Sequence, residues 1–249
     1  EQRLVMEEIG LGIYLQEWFI HITYPVHCLS RVMAYPPVME SKKALGDMWA
    51  YAYANRYEAN TFGGSLTGHA EVEANVAYMP LDEPPSDGRL LITDASWTGS
   101  EQHSVKAYAI KYRGGTVMHR LGTIRAIMPS SYMAEADALH DGFEAAEYVS
   151  GTLQEMGLVT PEATISLVDN EGLVKTCAQK AKGGSKLHRR KLGIILEAIK
   201  AERFRVRHVV TTQMPVDFMT KLLSKPAMQR SIAFLYNLAN AVRRGRAAQ

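Results

Sequence analysis

Between residues 89 and 223 strand and helix patterns follow one another in the order β-β-β-α-β-α-α-β-α, which leaves few sheets open to the chain. LLITDAS (90–96) is an apolar strand pattern. SVKAYAIKY (104–112) and TVMHRL (116–121) are two more, joined by Arg113-Gly114-Gly115. So short a Gly-rich connection makes a hairpin, and therefore antiparallel strands. SSYMAEADALHDGFEAAEYVSGTLQEMGL (130–158) predicts a long helix with Ser130 or Ser131 as its cap. ATISLVD (163–169) is a buried fourth strand, followed by helices in 170–180 and 188–201. RFRVRHVV (203–210) is a fifth strand, and MPVDFMTKLL (214–223) a last helix. Helical crossovers join parallel neighbours. The expectation is an α/β fold: a mixed five-stranded sheet flanked by helices.

The rest of the 249 residues divides by composition. Residues 1–60 have apolar side chains at helical spacing and read as a helical segment. Residues 61–88 are rich in Gly, Pro, Ser and Asp and read as a linker, with one short strand pattern at Val76–Met79. Residues 89–223 form the α/β unit, and 224–249 a C-terminal helix with a basic tail. A net charge of +2 says little about partners. No apolar run is long enough to span a bilayer. Cys28 and Cys177 are far apart and follow no ligand spacing, which argues against a zinc site and for reduced intracellular thiols. The first residue is Glu1, so the chain is expected to be cut from a longer one or processed.

Four acids fall at element ends. Asp94 closes the first strand and Asp169 the fourth; Glu135 lies in the first turns of the long helix, and Asp217 in the first turn of the last helix. Taken singly each has an ordinary use, as a turn residue, a cap or a partner of the helix dipole. In this element order, however, adjacent strand ends and the helix starts above them share one sheet edge. Carboxylates gathered there repel one another unless cations hold them. Oxygen-only ligands suit Mg²⁺ or Mn²⁺. Two such ions clamp an in-line phosphoryl displacement without a nucleophilic side chain.

These phrases resemble the ribonuclease H domain of Ty1/copia-type retroelement polyproteins. The likeness is carried by DASWTG (Asp94–Gly99), SSYMAEADAL with Glu135, LVDN with Asp169, and VDFMTK with Asp217 and Lys221, in that order. Upstream, HITYPVHCLSRVMAYPP with its LSRVM core (Leu29–Met33), followed by ESKKALGDMW, is similar to the segment linking polymerase and ribonuclease H in those polyproteins. No Tyr-x-Asp-Asp polymerase phrase occurs. The chain departs from the family at KLHRR (Lys186–Arg190), where a Lys-His-Ile-Asp phrase is usual, and residues 52–86 match nothing in it. TTQMP (211–215) carries no His, as in the copia type and unlike the corresponding loop of many cellular ribonucleases H; His208 on the preceding strand is a substitute candidate for a proton shuttle, with plain packing as its ordinary alternative.

The resemblance implies metal-dependent endonucleolytic cleavage of RNA in RNA–DNA hybrids. It implies two Mg²⁺ (or Mn²⁺) ions: Asp94 shared, Glu135 and Asp169 on the first, Asp217 on the second. From Leu173 to Leu196 there is no acid, while Lys175, Lys180, Lys182, Lys186, Arg189, Arg190 and Lys191 are present. This stretch is the expected nucleic-acid-binding face, with Gly183-Gly184 open to backbone–phosphate approach; its ordinary alternative is a solvated basic surface. Trp97 is either a stacking platform or core. The rival functional reading is a domesticated, catalytically silent module. It would serve as a structural or nucleic-acid-binding subunit of a larger protein or ribonucleoprotein complex.

Overall fold

The computed structural model describes residues 2–31, 38–55, 89–98, 103–158, 163–179 and 186–236. The strand pattern at 76–79, the linker at 61–88, the Gly183-Gly184 turn and the tail after residue 236 lie outside them. Two compact units are present, Glu1–Ala59 and Asn60–Gln249. None of the described helices is long and apolar enough to cross a membrane.

The first unit is helical. Helix α1 (Gln2–Leu15), a 3₁₀ turn (Ile20–Ile22), α2 (Thr23–Arg31) and α3 (Val38–Ala54) enclose Val5, Ile9, Ile22, Val26, Leu45 and Met48. Pro25 stands in the first turn of α2, where its missing N–H costs no helical hydrogen bond.

The second unit is built on five strands: β1 (Leu90–Ser96), β2 (Val105–Tyr112), β3 (Gly115–Thr123), β4 (Thr164–Val168) and β5 (Phe204–His208). Their spatial order is β3-β2-β1-β4-β5. β1, β2 and β3 pair antiparallel, and β4 and β5 join in parallel. The hairpin turns on Arg113 and Gly114 at φ 46° and 85°. Two successive positive φ values match the right-handed twist of the flanking strands. The mixed five-stranded sheet expected from the element order is the one observed.

Helix α4 (Ser131–Glu155) crosses one face of the sheet. The Ser130 side chain caps it by accepting from the Met133 N–H. Beside it stand α5 (Glu171–Gln179) and α6 (Lys186–Lys200). Leu91, Tyr108 and Ile110 of the sheet pack with Leu139 and Phe143 of α4, Leu173 of α5 and Ile195 of α6. Gly142 sets the depth of this contact. A Cβ there would stand 2.8 Å from the Thr93 methyl, 3.0 Å from Leu91 Cδ1 and 3.2 Å from Tyr108 Cβ. Only glycine lets α4 lie this close to β1.

The other face is covered by a one-turn helix, α7 (Asp217–Thr220), and by α8 (Lys225–Tyr236). With both faces covered, β1 is buried along nearly its whole length. α8, which the sequence sets apart from the α/β unit, is part of that covering: Thr116 donates to the Leu235 carbonyl at 2.8 Å. The helix expected over 214–223 is shorter than its pattern suggests. A 3₁₀ turn at Thr211–Gln213 precedes it, and Lys221 is already extended at φ −142°, which ends it after four residues.

Candidate active site

The acids follow from strand register. β1 and β4 run parallel, and their last pair is Ile92 with Leu167. Two residues further on, each strand carries its carboxylate, Asp94 and Asp169. Side chains alternate along β1, so Leu91 and Thr93 meet α4 while Asp94 faces α7. Glu135 enters from the second turn of α4, and its Oε1 accepts the Ala95 N–H at 3.0 Å. One carboxylate oxygen from each of Asp94, Glu135 and Asp169 lies within 4.8 Å of the others.

Asp217 joins this group through a lysine. Lys221 donates to Asp217 Oδ1 at 2.5 Å and stands 3.5 Å from Asp94 Oδ1. The Thr220 hydroxyl donates to Asp94 Oδ2, and lies 3.2 Å from the Asp217 carbonyl. Asp169 Oδ2 accepts from the Thr211 hydroxyl at 3.1 Å. A ring nitrogen of His208 lies 3.2 Å from the Asp169 carbonyl, so the ring stands beside the cluster with its contact to backbone.

The electrostatics are strained. Asp94 is 0% exposed, and its pKa is raised to about 6. Burial is the main cause; Asp217 and Asp169 add to it, while Lys221 and Thr220 oppose it. Glu135 is raised well above the usual carboxylate range, first by burial and then by Asp94 and Asp169. Burial works against the charge on Lys221, but Asp94 and Asp217 raise its pKa above the ordinary lysine range. Asp94 Oδ1 and Glu135 Oε2 are buried and have no hydrogen-bond partner. Buried carboxylate oxygens without donors are costly. An all-oxygen set with two buried oxygens that accept no hydrogen bond fits a hard divalent cation.

The expected basic face is less uniform. Lys175 is exposed and pairs with Glu171 one turn away at 2.8 Å. Arg190 is exposed. Lys191 pairs with the buried Asp137, which also holds Lys106 at 2.6 Å. Lys180 and Lys182, and the side chains of Lys186 and Arg189, lie outside the described residues. Trp97 donates its indole N–H to the Met128 carbonyl at 2.8 Å and remains 45% exposed, outside the core.

Sequence reasoning singled out the four acids but gave Thr220, Thr211 and Lys221 no role. The signal for two of them was in the VDFMTK phrase, where a Thr and a Lys follow Asp217 at helical spacing. Thr211 had no such signal, since its contact with Asp169 is set by the path of the loop.

Sheet order and flanking helices define a mixed α/β domain with a carboxylate cluster where β1 and β4 end. No protein-family model matches the chain, and no curated protein matches it. Solved structures do. LC11 ribonuclease H1, isolated from compost by a metagenomic approach and determined in complex with an RNA/DNA hybrid, is 14% identical. That match covers 51% of this chain and 88% of the other, at a TM-score of 0.42. Ribonuclease H1 from the halophilic archaeon Halobacterium salinarum is 17% identical over 57% of this chain and 97% of its own, with a TM-score of 0.41. An N-terminal ribonuclease H domain from Mycobacterium tuberculosis is 14% identical over 57% and 94%, also at 0.41.

Proposed function

We propose that the α/β unit is a metal-dependent ribonuclease H of Ty1/copia retroelement type, cutting the RNA strand of RNA–DNA hybrids endonucleolytically. The observation that carries this reading is the meeting of Asp94, Glu135 and Asp169 within 4.8 Å, from three separate elements. A solvated turn or a helix cap has no use for two buried carboxylate oxygens that accept no hydrogen bond.

In this reading Asp94, Glu135, Asp169 and Asp217 would hold two Mg²⁺ (or Mn²⁺) ions, Asp94 toward both, Glu135 and Asp169 toward the first and Asp217 toward the second. Such ions would supply water activation and charge neutralisation for phosphodiester hydrolysis. The chain's own residues prepare the site. Ala95 N–H and Thr220 fix the Glu135 and Asp94 carboxylates. Thr211 fixes Asp169. Lys221 balances part of the negative charge and holds Asp217 beside Asp94. Arg190, exposed on α6, is available to phosphates, and RNA is told from DNA by 2′-hydroxyl contacts in the wide minor groove. The copia-type origin rests on the DASWTG, SSYMAE, LVDN and VDFMTK phrases.

A second reading, a silent nucleic-acid-binding module within a larger complex, is favoured by Lys221. Its ammonium already pairs with two of the acids, as a cation would. A labelled RNA–DNA hybrid incubated with the protein and Mg²⁺ separates the two. Cleavage that disappears in Asp94→Asn supports the enzyme. Hybrid binding without cleavage, equal in parent and variant, supports the module and ends the first reading.

A further inference from the structure

A second group of metal-ligating side chains lies on α4, away from the four acids. His140, Asp141 and Glu144 bring one donor atom each to within 4.8 Å of one another. His140 and Glu144 are one helical turn apart and share a face. His140 is only 8% exposed, and its Nδ1 is buried without a hydrogen-bond partner. That nitrogen stands 3.7 Å from Asp141 Oδ1 and 3.8 Å from Glu144 Oε2. Both separations are too long for hydrogen bonds. Two donors on one Zn²⁺ ion, each at about 2.1 Å, stand about 3.4 Å apart at a tetrahedral angle. The two separations from the imidazole are thus open by a few tenths of an ångström, which the exposed Glu144 and half-buried Asp141 can close by rotation.

Asp141 is prepared for this. Its other oxygen, Oδ2, takes the Lys106 ammonium at 2.5 Å. Burial works against its charge, yet His140, Lys106 and Lys191 hold its pKa down to about 2, so it is an anion at neutral pH. Oδ1 is left facing the imidazole.

We propose that His140, Asp141 and Glu144 form a binding site for a divalent transition metal, of the Zn²⁺ class, independent of the acidic cluster at Asp94. An imidazole with two carboxylates suits zinc, whereas an all-oxygen cluster suits Mg²⁺. Glu144 is the exposed member, so the ion keeps positions open to water and is exchangeable. It links residues 140 and 144 across one turn of the helix that carries Glu135.

Calorimetric titration of the full chain with ZnCl₂, in excess MgCl₂ to fill the acidic cluster, tests this. One equivalent of Zn²⁺ should bind. His140→Gln should weaken it by at least about tenfold, as loss of even an outer partner does, and the surface variant Glu144→Gln should weaken it too. Asp94→Asn should leave it unchanged. In the ¹H–¹⁵N spectrum of the imidazoles, the His140 Nδ1 resonance should shift on Zn²⁺ addition. The proposal is overturned if no equivalent binds under Mg²⁺, if Zn²⁺ binding is lost in Asp94→Asn, or if both ligand variants, folded by circular dichroism, bind as the parent does.

Discussion

Lys111 offers the sharpest test of the physical account. It lies on β2, is 0% exposed, and donates to the Phe234 carbonyl of α8 with its ammonium 3.6 Å from the Phe234 ring centroid. Among the described residues no carboxylate pairs with it. Burial lowers its pKa from 10.5 to about 7. The unfolded chain therefore takes up a proton near pH 10.5 that the native state accepts only near pH 7. Between those values unfolding is accompanied by proton uptake, so stability falls as pH falls through that window and then levels. At about 1.4 kcal/mol per pH unit, the full difference is on the order of 5 kcal/mol. Lys111→Met keeps the apolar stem and removes the titration, at the cost of one hydrogen bond, about 1 kcal/mol. Urea unfolding at pH 6.5 should find the variant more stable by roughly 3–4 kcal/mol, and at pH 10.5 less stable by about 1 kcal/mol. A difference between parent and variant that is the same at both pH values would refute the argument.

Three further outcomes follow from the acidic cluster and its support. The raised pKa of Asp94, about 6, means that the folded metal-free protein holds a proton the unfolded chain releases near pH 4; this group's contribution to stability falls as pH rises from about 4 to 6. Thermal melts in EDTA should therefore show Asp94→Asn more stable than the parent at pH 7.5, with the gap closing at pH 4.5 and reversing once Mg²⁺ is added at pH 7.5. Lys221→Met removes the counter-charge of Asp94 and Asp217; because the lysine is 35% exposed, a loss of about 1–2 kcal/mol in EDTA is expected, smaller in Mg²⁺, readable in the same melts. Gly142→Ala forces α4 off β1 and should cost about 1–3 kcal/mol in urea unfolding, with cleavage reduced because Glu135 moves with the helix.

Much of this was written in local pattern. The hairpin was legible because Arg113-Gly114-Gly115 permits only a tight connection, and the sheet because helices separate the later strands. The four acids were legible as residues that close strands or open helices. Their grouping was less so. Asp94, Glu135 and Asp169 meet within 4.8 Å, but Asp217 reaches them through Lys221, a contact that depends on α7 ending after one turn. The surroundings of the basic stretch after Leu173 were not legible either, since charge counts cannot reveal that Lys191 is paired with Asp137 on a different helix. The burial of Lys111 was invisible too: SVKAYAIKY alternates as a strand with one solvated face, and only the packing of α8 covers that face.

The parallel pairing of β1 with β4 carries a consequence for how the protein comes into being. Asp94 and Asp169 become neighbours only after a crossover of some seventy residues has folded between them, and contacts so distant in sequence form slowly. Lys221, which balances them, is synthesised later still. If local helix forms ahead of such distant contacts, a refolding chain regains α4 and its helical signal before the carboxylate cluster closes. On the ribonuclease reading, recovery of hybrid cleavage in a stopped refolding experiment should lag behind recovery of far-ultraviolet ellipticity, making activity a clock for the last assembly step.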